Sequence, residues 1–305
     1  MLTRVAAFLA IAVLSLSGQD RYFDLLHISD THVASLAGVH PELAAARRLL
    51  QDPGEKLVKF VAEAARIPRS RVLHTGDIVD AICFDGEADG PPVYGQIELA
   101  KKLLAPLPAP PLLVMGNHDV ECYRRSKTKK NTAVGDQSVA AEARKLWGRH
   151  FPGLRRGTYF TERIRVGART YRLIAIDNGE ALATGQAFFD EQMRWFEREL
   201  ARQPRDPVIV ALHIPVAGDP KSQAIRARLS KAAQVELVLS GHRHTDAMEN
   251  LELGSRRILQ VRTAGMHISS TFWRRVRLYE DRIEIYATGE PERLLETVKL
   301  AERSK

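Results

Sequence analysis

Five short polar clusters, each following directly on an apolar run, constrain this 305-residue chain more than any other feature. The runs Tyr22 to Ile28, Arg71 to His74, Leu112 to Met115, Tyr171 to Ile176, Val208 to Leu212 and Val235 to Leu239 are rich in Leu, Ile and Val and read as buried strands. Helical stretches alternate with them, clearest at Gln186 to Arg202, where Phe189, Met193, Phe196 and Leu200 recur at helical spacing as a core-facing stripe. That alternation predicts a layered α/β domain. Further strands near Arg256 to Thr263, Thr271 to Leu278 and Arg282 to Tyr286 are expected to close a second sheet, while the Gly/Asp/Pro-rich Asp85 to Pro92 reads as a loop. In open α/β sheets ligands gather at the carboxyl ends of strands, so clusters far apart in sequence can converge there.

The first cluster, in His27 to His32, sets Asp30 two residues from His32, a spacing that lets a carboxylate and an imidazole grip one cation from an extended segment. The second is Gly76-Asp77-Ile78-Val79-Asp80, where Gly76 permits a tight turn and the two carboxylate oxygens of Asp77 can bridge two cations. The third, Gly116-Asn117-His118-Asp119, has a chance expectation of roughly 0.04% in a chain of this composition, so coincidence is a poor account of it. Asn117 offers a neutral amide oxygen, His118 an imidazole suited to acid or base work, and Asp119 a carboxylate able to orient the His118 ring. His213 closes the run from Val208, and Gly241-His242-Arg243-His244 supplies two imidazoles after a Gly turn. Of the other histidines, His74 reads as buried and structural, His40 and His150 as surface positions, and His267 lies on a late loop that could approach the site.

The N-terminus has the three parts of a secretory signal: Arg4, an apolar run from Val5 to Leu16, then small residues ending at Gly18. The run is shorter than the roughly 20 residues that span a bilayer, so residues 1–18 are read as a cleaved signal, 19–305 as one mature domain, and the product as periplasmic or secreted. In an oxidising compartment Cys83 and Cys122, both expected on loops at one edge of the sheet, either form a disulfide or remain free. The formal charge of +8 is scattered, which makes a nucleic-acid groove possible but not favoured. The one dense basic run, Arg124, Arg125, Lys127, Lys129 and Lys130, is either a substrate-phosphate loop or a solvated one.

Asp-x-His, Gly-Asp-x-x-Asp, Gly-Asn-His-Asp, a lone His after a strand and Gly-His-x-His, in this order from Asp30 to His244, resemble the motif set of the calcineurin-like metallophosphoesterase superfamily. The resemblance implies two packed mixed β-sheets flanked by helices, a four-layer α/β/β/α arrangement. It implies a dinuclear centre in which Asp30, His32 and His244 hold one cation, Asn117, His213 and His242 the other, and Asp77 bridges. It implies hydrolysis of a phosphomonoester or phosphodiester by in-line attack of a metal-bridging hydroxide, with His118 protonating the leaving group or positioning the phosphate and Asp119 orienting His118. Mixed oxygen and nitrogen ligation suits Mn, Fe, Zn or Ni alike. Ala81 stands where the protein phosphatases of this superfamily carry Arg, and no Tyr follows Gly76-Asp77 as in the purple acid phosphatases. The spacing is most similar to the branch of bacterial cyclic-nucleotide phosphodiesterases. An exported nuclease and a non-catalytic metal-binding module are the competing expectations.

Overall fold

The computed structural model describes residues 21–47, 53–128 and 132–300; the signal segment 1–18 and Lys129 and Lys130 of the basic run lie outside them. Fifteen strands and six helices follow in chain order: β1 (Phe23–Ile28), α1 (Pro41–Ala46), α2 (Pro53–Ala64), β2 (Ser70–His74), β3 (Cys83–Phe84), α3 (Gln96–Leu104), β4 (Leu112–Leu113), β5 (Cys122–Arg125), β6 (Ala133–Asp136), α4 (Ala140–His150), β7 (Phe160–Val166), β8 (Arg169–Ile176), α5 (Leu182–Ala201), β9 (Val208–Leu212), α6 (Pro220–Leu229), β10 (Val235–Ser240), β11 (Ala247–Leu253), β12 (Arg256–Arg262), β13 (Arg274–Leu278), β14 (Arg282–Ala287) and β15 (Glu290–Lys299). They form two six-stranded mixed sheets, ordered β15-β14-β13-β1-β2-β4 and β11-β12-β10-β9-β8-β7, and a small sheet β3-β5-β6.

Strand periodicity builds the layers. Alternate residues of one strand face opposite ways, so Leu25 and Leu73 turn inward to meet Leu173, Ala175, Ile209, Ala211, Leu237 and Leu239 between the sheets. Leu26, Ile28 and Val72 turn outward onto Leu57, Phe60, Ile97, Ala100, Ala143 and Trp147 of α2, α3 and α4. On the far side Ile174, Ile176, Val210 and Leu212 cover the stripe Phe189, Met193, Phe196 and Leu200 of α5, with Ile225 and Leu229 of α6. This is the expected order of helix layer, two sheets and helix layer. Helix α5 begins four residues before the expected Gln186, with a break in helical geometry at Gly185 where the added turn joins.

The parallel strands share one polarity within each sheet, β1 with β2 and β4, and β8 with β9, β10 and β12. The loops that leave their carboxyl ends carry all five clusters.

Cys83 and Cys122 lie opposite each other on β3 and β5 and form a disulfide, buried, with Cα atoms 4.6 Å apart. They sit on short paired strands rather than in loops, because the small sheet forms from the segment that follows each of two clusters. Removing this crosslink, which spans 39 residues, is expected to lower unfolding free energy by about 4 kcal/mol in the chain-entropy picture. A Cys83→Ser/Cys122→Ser protein melted in urea beside the parent tests this, and a difference below about 1 kcal/mol contradicts it.

Candidate metal centre

The loops after β1, β2, β4, β9 and β10 bring Asp30, His32, Asp77, Asn117, His213, His242 and His244 into one cleft. Backbone bonds join the first two loops: Asp30 N–H to the Gly76 carbonyl, His32 N–H to Asp77, Val33 N–H to Ile78 and Asp80 N–H to Val33, at 2.9 to 3.0 Å. Gly76 has φ of +94° and is pressed against the His213 ring, so that a Cβ there would stand 2.6 Å from His213 Nδ1. Asp30, His32, Asp77, His242 and His244 all adopt left-handed backbone, φ between 44° and 73°. For residues other than Gly that conformation costs about 1–3 kcal/mol each and persists only where the surroundings enforce it, which marks these turns as functional.

Two groups of ligand atoms flank Asp77. On one side His32 Nε2 and His244 Nε2 lie 3.2 Å apart, and Asp30 Oδ1 is 3.3 Å from His244 Nε2. On the other side His213 Nε2 lies 3.2 Å from both Asn117 Oδ1 and His242 Nδ1. Asp77 Oδ2 faces both groups, 3.1 Å from His213 Nε2 and 3.8 Å from His32 Nε2. Its other oxygen accepts the His118 backbone N–H at 3.0 Å, so Asp77 spans the groups with one oxygen rather than the two expected.

The residues present fit cations. Asp30 Oδ1 is fully buried, points into the cleft and accepts no hydrogen bond, an arrangement that is costly unless a positive charge meets it. His213 donates Nδ1–H to the Thr75 carbonyl at 2.7 Å, and His32 donates Nδ1–H to Asp80 at 3.3 Å. Both bonds fix the tautomer that turns Nε2 into the cleft as a ligand. Asp80 is itself gripped by Arg47, whose Nε stands 2.7 Å from Oδ2. Burial pushes the Asp77 carboxyl up, but His213, His118 and His32 outweigh it and hold it well below the usual range. Burial likewise lowers His213, and the Asp77 and Asp30 carboxylates reverse this and push it up to about 9. Burial, then His213, press His242 down to about 4. The positive charge that His213 carries beside Asp77 thus occupies a place that a cation suits, since ligand imidazoles give up protons on binding metal.

His118 and Asp119 take different parts from those expected. The Asp119 carboxylate accepts the backbone N–H groups of Ile78, Val79 and Gly116 at 2.8 to 3.0 Å. It does not orient His118. The two residues sit on a 3-10 turn, His118–Val120, where successive side chains diverge by about 120°, so neighbours in sequence face apart. Asp119 instead clamps the Asp77 loop to the Asn117 loop, and Trp147 of α4 secures it by donating Nε1–H to the Asp119 carbonyl at 2.8 Å. Burial, then the Asp77 charge, push the Asp119 carboxyl up to about 7 against those backbone donors. The His118 ring is held by the Asp80 carbonyl, 2.8 Å from Nδ1, and the Tyr123 hydroxyl, 2.9 Å away. Burial lowers its pKa, but the carboxylates of Asp77, Asp80 and Glu121 outweigh this and raise it. Its Nε2 lies 3.7 Å from Asp77 Oδ2, at the mouth of the cleft.

His74 is buried as expected, bonded to Thr31 Oγ1 at 2.9 Å. His40 and His150 are partly exposed, engaged with Arg125 and Glu98. Of the basic run, Arg124 is paired with Asp85 and Asp136 at 3.1 and 3.2 Å, and the Arg125 backbone is bonded to Asp85. Arg124 is therefore committed to neighbouring carboxylates. His267, on the late loop that could approach the site, stands in the cleft, its ring 4.4 Å from His244 and 5.0 Å from His32, centroid to centroid. Asp80 was named within its motif without a role, and Arg47 and Tyr123 were not singled out by sequence, since each acts through contacts 5 to 48 positions away.

Replacing Asp119 by Ala strands three backbone N–H groups and is expected to destabilise the protein by about 3 kcal/mol or more. Asp119→Asn, which keeps an oxygen acceptor, should lose less. Urea melts of the two variants check this, and an Ala variant within about 0.5 kcal/mol of the parent contradicts it.

A profile of calcineurin-like phosphoesterases matches residues 23–246. Among solved structures, a dimetal phosphatase from Danio rerio is 14% identical, with the alignment covering 92% of this chain and 100% of that one at a TM-score of 0.57, which agrees in fold. The phosphopantetheinyl hydrolase of Mycobacterium tuberculosis is 11% identical, covering 81% and 91%, TM-score 0.47. A calcineurin-like phosphoesterase, YfkN, from Bacillus subtilis is 9% identical, covering 92% and 91%, TM-score 0.43. No curated protein matches the chain in sequence. With that profile spanning every one of the five clusters, the chain belongs to the calcineurin-like phosphoesterase family and is a metal-dependent phosphoesterase.

Proposed function

We propose that this phosphoesterase is exported, binds two divalent transition-metal ions, and hydrolyses a small phosphomonoester or phosphodiester by direct attack of water-derived hydroxide. The reading rests above all on Asp77 Oδ2, which looks at an Asp30, His32 and His244 group on one side and an Asn117, His213 and His242 group on the other. Asp30, His32 and His244 would hold one ion, Asn117, His213 and His242 the other, with Asp77 shared. When bound, such a pair supplies positive charge for phosphoryl oxygens and a water acidic enough to act as nucleophile near neutral pH.

The chain's own groups divide the remaining work. Left-handed turns pre-set the ligand carboxylates and imidazoles, so little reorganisation is needed on loading. His118 keeps Nδ1–H on the Asp80 carbonyl and presents Nε2 to the cleft. From there it donates a proton to the departing alkoxide or a hydrogen bond to the phosphate. Nearby carboxylates favour its protonated form and bound cations would oppose it, which brings its acidity back toward the working range. Asp119 serves by holding Asp77 and Asn117 in register. No helix among the described residues is long and apolar enough to cross a membrane.

Activity toward p-nitrophenyl phosphate or its bis ester is expected to vanish in chelator and return with Mn²⁺; turnover that persists in metal-free protein contradicts the reading. His118→Ala should lower kcat by about a hundredfold or more, while retaining the rise in melting temperature that Mn²⁺ gives the parent. An unchanged kcat on every substrate removes His118 from the chemistry.

A further inference from the structure

We propose that His267 is a further metal ligand, joining Asp30, His32 and His244, so that one half of the centre carries a third imidazole that the other half lacks. The inference rests on the two-ion reading above and adds to it a chemical difference between the sites.

Geometry carries the argument. Ligand atoms of His32, His244 and His267 all lie within 4.8 Å of one another, and the His267 ring meets those of His244 and His32 edge-on, at 71° and 90°. Nδ1 of His267 lies 3.0 Å from the Asp30 carbonyl. A carbonyl only accepts, so Nδ1 carries the proton and Nε2 keeps the lone pair, the tautomer that ligating histidines use. The loop after β12 is also sewn to both other ligand-bearing loops of this half. Met266 N–H donates to the Ser29 carbonyl and His267 N–H to Asp30, each at 3.0 Å, while Gly265 N–H donates to His244 at 3.3 Å. Gly265 leaves room for the ring, since a Cβ there would stand 2.7 Å from it. A surface histidine needs none of this scaffolding.

One half would then offer a carboxylate and three imidazoles, and the other an amide oxygen and two imidazoles, with Asp77 common to both. Nitrogen-rich ligation favours Zn, Co or Ni over Mn, which prefers oxygen. The two ions should therefore bind unequally, the His267 half holding the borderline metal.

Titration of metal-free protein with Co²⁺, followed by visible absorption, tests this without recourse to activity. The parent is expected to take two equivalents. His267→Ala should weaken one of them by about tenfold or more and alter its ligand-field bands, leaving the second unchanged. His267→Gln, polar and of similar reach, should behave as His267→Ala does and stands in for it if the smaller residue impairs folding. His150→Ala, remote from the cleft, should leave both equivalents intact. Two unchanged affinities and an unchanged spectrum in both His267 variants overturn the proposal while the two-ion reading survives. So does weaker binding of inorganic phosphate alone, which would make His267 a substrate contact. A parent that binds no Co²⁺ overturns both.

Discussion

The rest of the structure turns on a single buried oxygen, Asp77 Oδ2, placed between two groups of ligand atoms. Around it the carboxylates of Asp30 and Asp80 and the imidazoles of His32 and His213 are withdrawn from water, with His118 half-buried beside them. Burial by itself would drive such groups to their neutral forms, and their mutual attraction opposes that. The balance holds Asp77 well down and His213 well up, so the cluster is an ion pair waiting for a better counter-charge. A buried charge constellation of this kind is a poor source of stability. Its cost falls on the framework, which must hold the ligand turns in left-handed backbone that residues other than Gly avoid.

That framework is ordinary α/β packing used with economy. Parallel strands of both sheets end at one edge, and three apolar layers of alternating strand residues lock the sheets and helices face to face. Rigidity at the strand ends then passes to the loops through a few buried groups. Asp119 ties the Asp77 loop to the Asn117 loop, Trp147 ties Asp119 to α4, and Asn178 at the end of β8 accepts the His213 and Ile214 N–H groups. Arg47 steadies Asp80, which steadies His32. The disulfide between β3 and β5 stands beside Tyr123, the residue that touches His118. Each support orients a ligand or acid rather than meeting substrate itself.

How far the sequence reaches can be judged residue by residue. The strands that carry ligands were legible because a fully buried parallel strand is a short, dense apolar run, and the cluster after each one is a local pattern. His242 with His244 is legible from its Gly-His-x-His spacing, whereas Asp30 with His32 is a weak pair by itself and gains weight only beside the other clusters. Asp119 was misread for a geometric reason, since adjacency along the chain carries no direction on a 3-10 turn. His267 could only be placed on a loop able to reach the cleft, because no second ligand stands beside it in sequence and its place depends on backbone bonds to Asp30 and His244 across more than twenty positions. The β3-β5-β6 sheet escaped because strands as short as two residues show no alternation. Strand β15, Glu290–Lys299, is a charged edge strand with mostly exposed side chains, and so lacks the apolar signal that identified its neighbours.

The most direct test of the account is anomalous diffraction from crystals of the protein grown with Mn²⁺ or Zn²⁺. The account predicts two anomalous peaks, one on each side of Asp77 and both in contact with its Oδ2 atom. A single peak away from that oxygen, or none in a protein that is active under the same conditions, would contradict it.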